Sequence, residues 1–168
     1  MSLKATVLFS LWTSLLSAVF YFCYGFTGFG VPWVMFVCLA VFFGMGGGVK
    51  DVPAMCLSAL AGCAWGKVDF LLMDLFQGLG LNLEGASFVS ITLGTAVTMV
   101  LHLHVLKKTP FRHMPFIFAG VCLTFSQNNG NTVGLAATLV IGIVLAALCS
   151  LGMAFAVRRF PLPARPGE

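Results

Sequence analysis

Long apolar runs that no charge interrupts, and in which polar and apolar residues do not alternate, are the feature that most restricts this chain. TVGLAATLVIGIVLAALCSLGMAFAV, residues 132–157, is one of them. A helix on a soluble core shows a polar face every turn, and a half-buried strand alternates; this pattern does neither. Only 8% of the 168 residues are charged and 60% are hydrophobic, against roughly 25% charged in soluble domains. Too few polar groups are present to cover a surface in water, so the surrounding medium is lipid. Backbone groups in hydrocarbon must pair within their own segment, which leaves helices or a closed barrel. Continuous runs select helices. The fold class is all-α, a polytopic membrane protein.

Six segments can be drawn: about Ala5 to Tyr24, Val31 or Pro32 to Gly44, Pro53 to past Trp65, Ser87 to Leu106, Met114 to Ser126, and Thr132 to Val157. They form one domain, 1–160, and PLPARPGE after it reads as a disordered tail, 161–168. The first segment has span length, unlike the shorter core of a cleavable signal. If all six cross, one side holds both termini and the loops after segments two and four. Of the nine basic residues, only Lys67 then falls elsewhere; Lys4, Lys50, Lys107, Lys108, Arg112, Arg158, Arg159 and Arg165 share that side. The positive-inside rule makes both termini cytoplasmic.

Segments two and five are too short. About 13 helical residues rise roughly 20 Å, against a hydrocarbon core of about 30 Å. GMGGG and SQNNG cover the remaining depth, and irregular backbone survives there only where protein buries it or water lines it. The two breaks are related. Setting Phe36 beside Phe118 also pairs Phe43 with Phe125, Gly48 with Gly130 and Ala54 with Ala136. In the helices that follow, Ala54, Ser58, Gly62, Gly66 and Gly134, Thr138, Gly142, Ala146 recur every fourth residue, in a register two residues away from that of the breaks. Each unit (about 5–76 and 87–157) reads long helix, broken helix, small-faced helix. Three crossings per unit make a 3+3 inverted repeat, an arrangement used by transporters and channels. Ser58, Gly62, Gly66, Thr138, Gly142 and Ala146 are expected as helix-packing positions.

FFGMGGGVKD…LAGCAW, with PFIFAGVCLTFSQNNG and the Gly- and Ala-rich helix after it, resembles the YcdZ-like bacterial inner-membrane proteins, a domain of unknown function. The resemblance covers nearly the whole chain. It implies a bacterial inner-membrane location and supplies no substrate or catalytic residues. The chain departs from that pattern at Lys67 and Asp69, where apolar residues are expected.

Chemistry-bearing residues are few. Lys67, Asp69 and Asp74 either lie inside a full third crossing, where ionisable groups are functional candidates, or belong to an amphipathic stretch, KVDFLLMDLFQGLG, along the outer interface. His102, His104 and His113 have the wrong spacing for one helical face and read as cytoplasmic-interface residues. Asp51 reads as a loop partner of Lys50. The six cysteines show no CxxC pairing and read as small buried hydrophobes. No metal site or cofactor is expected, and no HExxH, Walker loop or GxSxG is present, so the chain is not read as an enzyme. The basic residues lack interleaved aromatics, so nucleic acid is not expected as a partner. What remains are neutral polar groups and aromatics at the breaks: Phe43, Gly46, Gly47, Gly48, Phe125, Ser126, Gln127, Asn128 and Asn129 are the expected pore or substrate-binding residues. Without a ring of charge such a lining suits a small uncharged polar solute better than an ion. The expected function is a passive channel or facilitator for a urea-, amide- or ammonia-like molecule in the lipid bilayer, assembled as a homo-oligomer. The alternative is a non-transporting structural or regulatory subunit.

Overall fold

The structure is a computed structural model and describes residues 1–162. Most of the expected disordered tail therefore lies outside the described residues. Six helices appear, with no strand among the described residues: α1 (Leu3–Gly25), α2 (Val34–Gly44), α3 (Val52–Gly78), α4 (Leu83–Val100), α5 (Met114–Ser126) and α6 (Thr132–Arg159). A 3-10 turn, Val49–Asp51, leads into α3, and α4 runs on into a π-helical turn, Leu101–Val105. Four of these helices are long and apolar enough to cross a membrane; α2 and α5 are shorter. At 1.5 Å per residue, α2 and α5 rise about 16 and 20 Å, and α6 about 42 Å.

Local chemistry sets the helix starts. Ser2 caps α1 by accepting from the Ala5 amide, and Asn82 caps α4 by accepting from the Gly85 amide. Pro53 and Pro115 stand in the first turns of α3 and α5, where the missing N–H would have had no partner. Of the third segment's open alternatives, the observed one is a single long helix: KVDFLLMDLFQG continues α3 to Gly78, so Lys67 and Asp69 stand roughly 22 and 25 Å from its first residue.

The short helices pack on the long ones. α2 lies along α6 and α5 along α3; α1 also packs on α6, α4 on α3, and α3 and α6 touch each other. The close approaches occur at the small residues. A Cβ on Gly62 would fall on the Ile117 carbonyl of α5, and one on Gly142 would meet Cys38 and Met35 of α2. Ser58, Gly62, Gly66, Thr138, Gly142 and Ala146 are all buried. Val34, Cys38, Phe42, Met55, Cys63, Phe116, Leu135, Leu139 and Ile143 fill the centre.

Two ends can be distinguished. α1 runs antiparallel to α6, with Ser2 Oγ donating to the Phe160 carbonyl (2.7 Å), Trp12 Nε1 to that of Leu148 (3.1 Å) and Tyr24 OH to that of Gly134 (3.4 Å). The loops after α2 and α4 join through Asp51 and Arg112 (2.8 Å). At the opposite end the loop after α1 meets the start of α6, where Val31 N–H donates to Thr138 Oγ1 (3.0 Å) and Asn131 Nδ2 to the Phe29 carbonyl (3.2 Å). One end therefore carries Lys4, Lys50, Lys107, Lys108, Arg112, Arg158 and Arg159; the other carries Asp74 and Glu84.

Candidate functional site

Both breaks are built, not frayed. After α2, Gly47 N–H donates to the Phe42 carbonyl (2.8 Å) and Gly46 N–H to that of Phe43 (3.1 Å). After α5, Asn129 N–H donates to the Thr124 carbonyl (3.2 Å) and Asn128 N–H to that of Phe125 (2.9 Å). Each is a Schellman cap, in which a residue in the left-handed region lets the chain fold back on the last turn. Gly46 (φ 66°) fills that position in one and Asn128 (φ 46°) in the other. The Gly46 and Gly47 amides are thus spent on the cap, which satisfies carbonyls that a helix end otherwise leaves open.

The two sets of expected pore residues are not brought together. Phe43, Gly46, Gly47 and Gly48 sit towards the basic end, with the Phe43 ring 5.9 Å from that of Phe9 near the start of α1. Phe125, Ser126, Gln127, Asn128 and Asn129 sit towards the other end, with Phe125 stacked on Phe70 of α3 (4.7 Å). Between them lies the packed apolar core, with Phe42, Phe116, Leu139 and Ile143 each 0% exposed. A path from one break to the other through a single chain is thus filled by side chains. The largest described groove lies elsewhere, on the outside between α1 and α2. It has a volume of about 700 Å³, and Thr13, Ser14, Ser17, Tyr21 and Trp33 are among its lining residues. α1 itself buries only Ala5 and Ser17.

The polar groups that do converge lie in the seam between α3 and α4. Ser90, Gly94, Thr98 and His102 are all buried, a line every fourth residue down α4. Ser90 Oγ donates to the backbone carbonyl of Asp69 (2.5 Å), and a Cβ on Gly94 would fall on the Asp69 carboxyl. Asp69 is 3% exposed, and its Oδ1 has no hydrogen-bond partner. Further along, Trp65 Nε1 donates to His102 Nε2 (3.0 Å), and His102 Nδ1 lies 2.7 Å from the Phe111 carbonyl. This pair of contacts fits the neutral ring with its hydrogen on Nδ1. His102, expected at the cytoplasmic interface, is 2% exposed and faces the loop after α4 through Phe111. Its neighbour His104 is exposed. The overlooked signal was in the sequence, since the α4 line has the same every-fourth-residue spacing as the stripes recognised on α3 and α6.

At the basic end the acid of the Lys50–Asp51 pair turns out to face Arg112. Next to it, His113 N–H donates to Ser58 Oγ (3.2 Å). Burial pushes the His113 imidazole below its ordinary value, with the Arg112 charge adding to that and Asp51 opposing it. No group of three or more ligating side chains that could hold a metal occurs among the described residues.

A family model described as "Protein of unknown function (DUF1097)" matches residues 10–154. The chain belongs to this family. The match takes in α2 to α5 whole, most of α1 and α6, both breaks and the α3–α4 seam. The description bears out an uncharacterised domain family and carries no YcdZ label. No curated protein and no solved structure matches the chain.

Proposed function

We propose that the chain is a passive facilitator for a small uncharged polar solute in a bacterial inner membrane, built as a 3+3 inverted repeat with both termini in the cytoplasm. The observation that carries the repeat is a match in burial. The buried residues of α2, Val34, Met35, Cys38 and Phe42, have buried counterparts 82 positions on at Phe116, Ile117, Gly120 and Thr124 of α5. Those of α3, from Met55 through Ser58, Ala59, Gly62, Cys63 and Gly66 to Asp69, have buried counterparts 80 positions on, from Leu135 to Cys149 of α6. The two-residue difference is the one found between the breaks and the stripes in the sequence. Contacts follow the same registers. Val31 N–H donating to Thr138 Oγ1 is matched by His113 N–H donating to Ser58 Oγ. The Gly46 cap is matched by the Asn128 cap. Inverted repeats with helices ending inside the membrane are a transport architecture, and the basic end supports the cytoplasmic assignment.

With the core filled, the path in this reading runs outside the centre of one chain, between copies packed along α1. The hydroxyls of Thr13, Ser14 and Ser17 in the α1–α2 groove support this, since polar groups at membrane depth favour a protein or water partner over lipid. The breaks then form the rims. In liposomes holding the purified chain, recovery of light scattering under a urea or acetamide gradient is expected to be faster than in empty liposomes, and Ser17→Phe to slow it. No acceleration for any of several neutral solutes would overturn the reading. That same core favours a second one, a non-transporting subunit, which predicts this negative result and a stable complex with a different membrane protein.

A further inference from the structure

We propose that Asp69 is a proton-binding site, which holds a proton while α3 and α4 are packed together and exchanges it with water when that seam parts. The carboxyl is almost fully buried, and no basic group reaches it. On its own helix Lys67 and Asp74 are exposed. Facing it from α4 are Ser90 and Gly94; His102 lies two turns further along and is already bonded to Trp65 and Phe111. Glu84, at the start of α4, is exposed. From α5, the groups packed on this stretch of α3 are Thr124 and Phe125, neither of them charged. The charged residues of α6, Arg158 and Arg159, lie at the far end. The only ion pair among the described residues joins Asp51 to Arg112. A carboxylate with no countercharge and an unpartnered oxygen is costly in a low-dielectric interior, and a proton is the one ligand that removes the cost without room for an ion.

Packing alone does not call for an acid here, an argument that uses the repeat inferred above. In the register of 80, Asp69 corresponds to Cys149, which is 0% exposed. One half of the molecule thus closes this joint with a thiol and the other with a carboxyl. The route to water is short. Asp69 precedes Phe70, whose ring stacks on Phe125 at the end of α5, and it stands roughly 14 Å along α3 from Gly78. The step is a proton transfer: the acid gives H⁺ to water, leaving carboxylate, and no other bond changes.

Infrared difference spectroscopy on the full chain in liposomes, wild type minus Asp69→Asn, reads this directly. The expected result is a protonated-carboxyl C=O band at neutral pH that the substitution removes and that bleaches reversibly as pH rises. Asp69→Cys, which copies the other half, serves for the subtraction where Asn does not fold. Absence of an Asp69-dependent band at neutral pH overturns the proposal. So does a band that persists until the protein unfolds, which would mark a locked structural acid. The measurement needs no solute, so failure of the light-scattering assay and failure of this proposal are told apart.

Discussion

Gly62 and Gly142 mark where helices come closest, and their surroundings differ in what can yield. A methyl at Gly62 falls on the Ile117 carbonyl and lies 3.0 Å from the Gly120 Cα, all of it backbone. A methyl at Gly142 meets Cys38 first, at 2.8 Å from its Sγ. Overpacking costs about 1–3 kcal/mol, and Gly62→Ala is expected towards the upper part of that range with Gly142→Ala below it. Thermal unfolding of the two variants in detergent checks the order; equal losses would mean that the backbone contact at Gly62 does not limit the approach. These positions were legible in the sequence because small residues every fourth place advertise a close helix face. His102 and Asp69 were not. The groups that decide their settings, Trp65 for one and Gly94 for the other, lie 37 and 25 positions away in sequence.

At the scale of elements, the short helices end where they do because a residue in the left-handed region turns the chain back. Nothing lies within 4 Å of a Cβ built on Gly46, so the cost of changing it is purely conformational. Gly46→Val is expected to destabilise by about 1–2 kcal/mol, while Gly46→Asn and Asn128→Gly, which exchange the residues of the two caps, are expected to cost a few tenths at most. Chemical unfolding followed by circular dichroism would show it; an equal loss for Val and Asn would sink the account. The bounds of α5 and the start of α6 follow the sequence reading closely, since SQNNG is a strong stop. α3 runs on past Trp65 to Gly78 and packs there against α4, with Asp69 buried in the seam, and such tertiary packing is invisible to a reading that weighs each charge against lipid alone.

For the whole molecule, the all-α class, the six helices and the shortness of α2 and α5 were legible, since all follow from composition and spacing. The filled centre was not, because which apolar residues face inward depends on how α2 meets α6 and α5 meets α3. The arrangement makes a prediction about sidedness. A fluorescent protein fused after Phe160 is expected to light up in the cytoplasm, and alkaline phosphatase inserted in the loop at residues 127–131 to be active outside; the opposite pattern would invert the molecule. The paired caps carry one more consequence. α2 and α5 run in opposite directions, so each turns its carbonyl terminus outward, and a helix carries about half a negative charge at that terminus. The two short helices therefore add the same sign of local field at both faces, while the full charges differ: the basic residues at one end offset that contribution, and Asp74 and Glu84 at the other reinforce it.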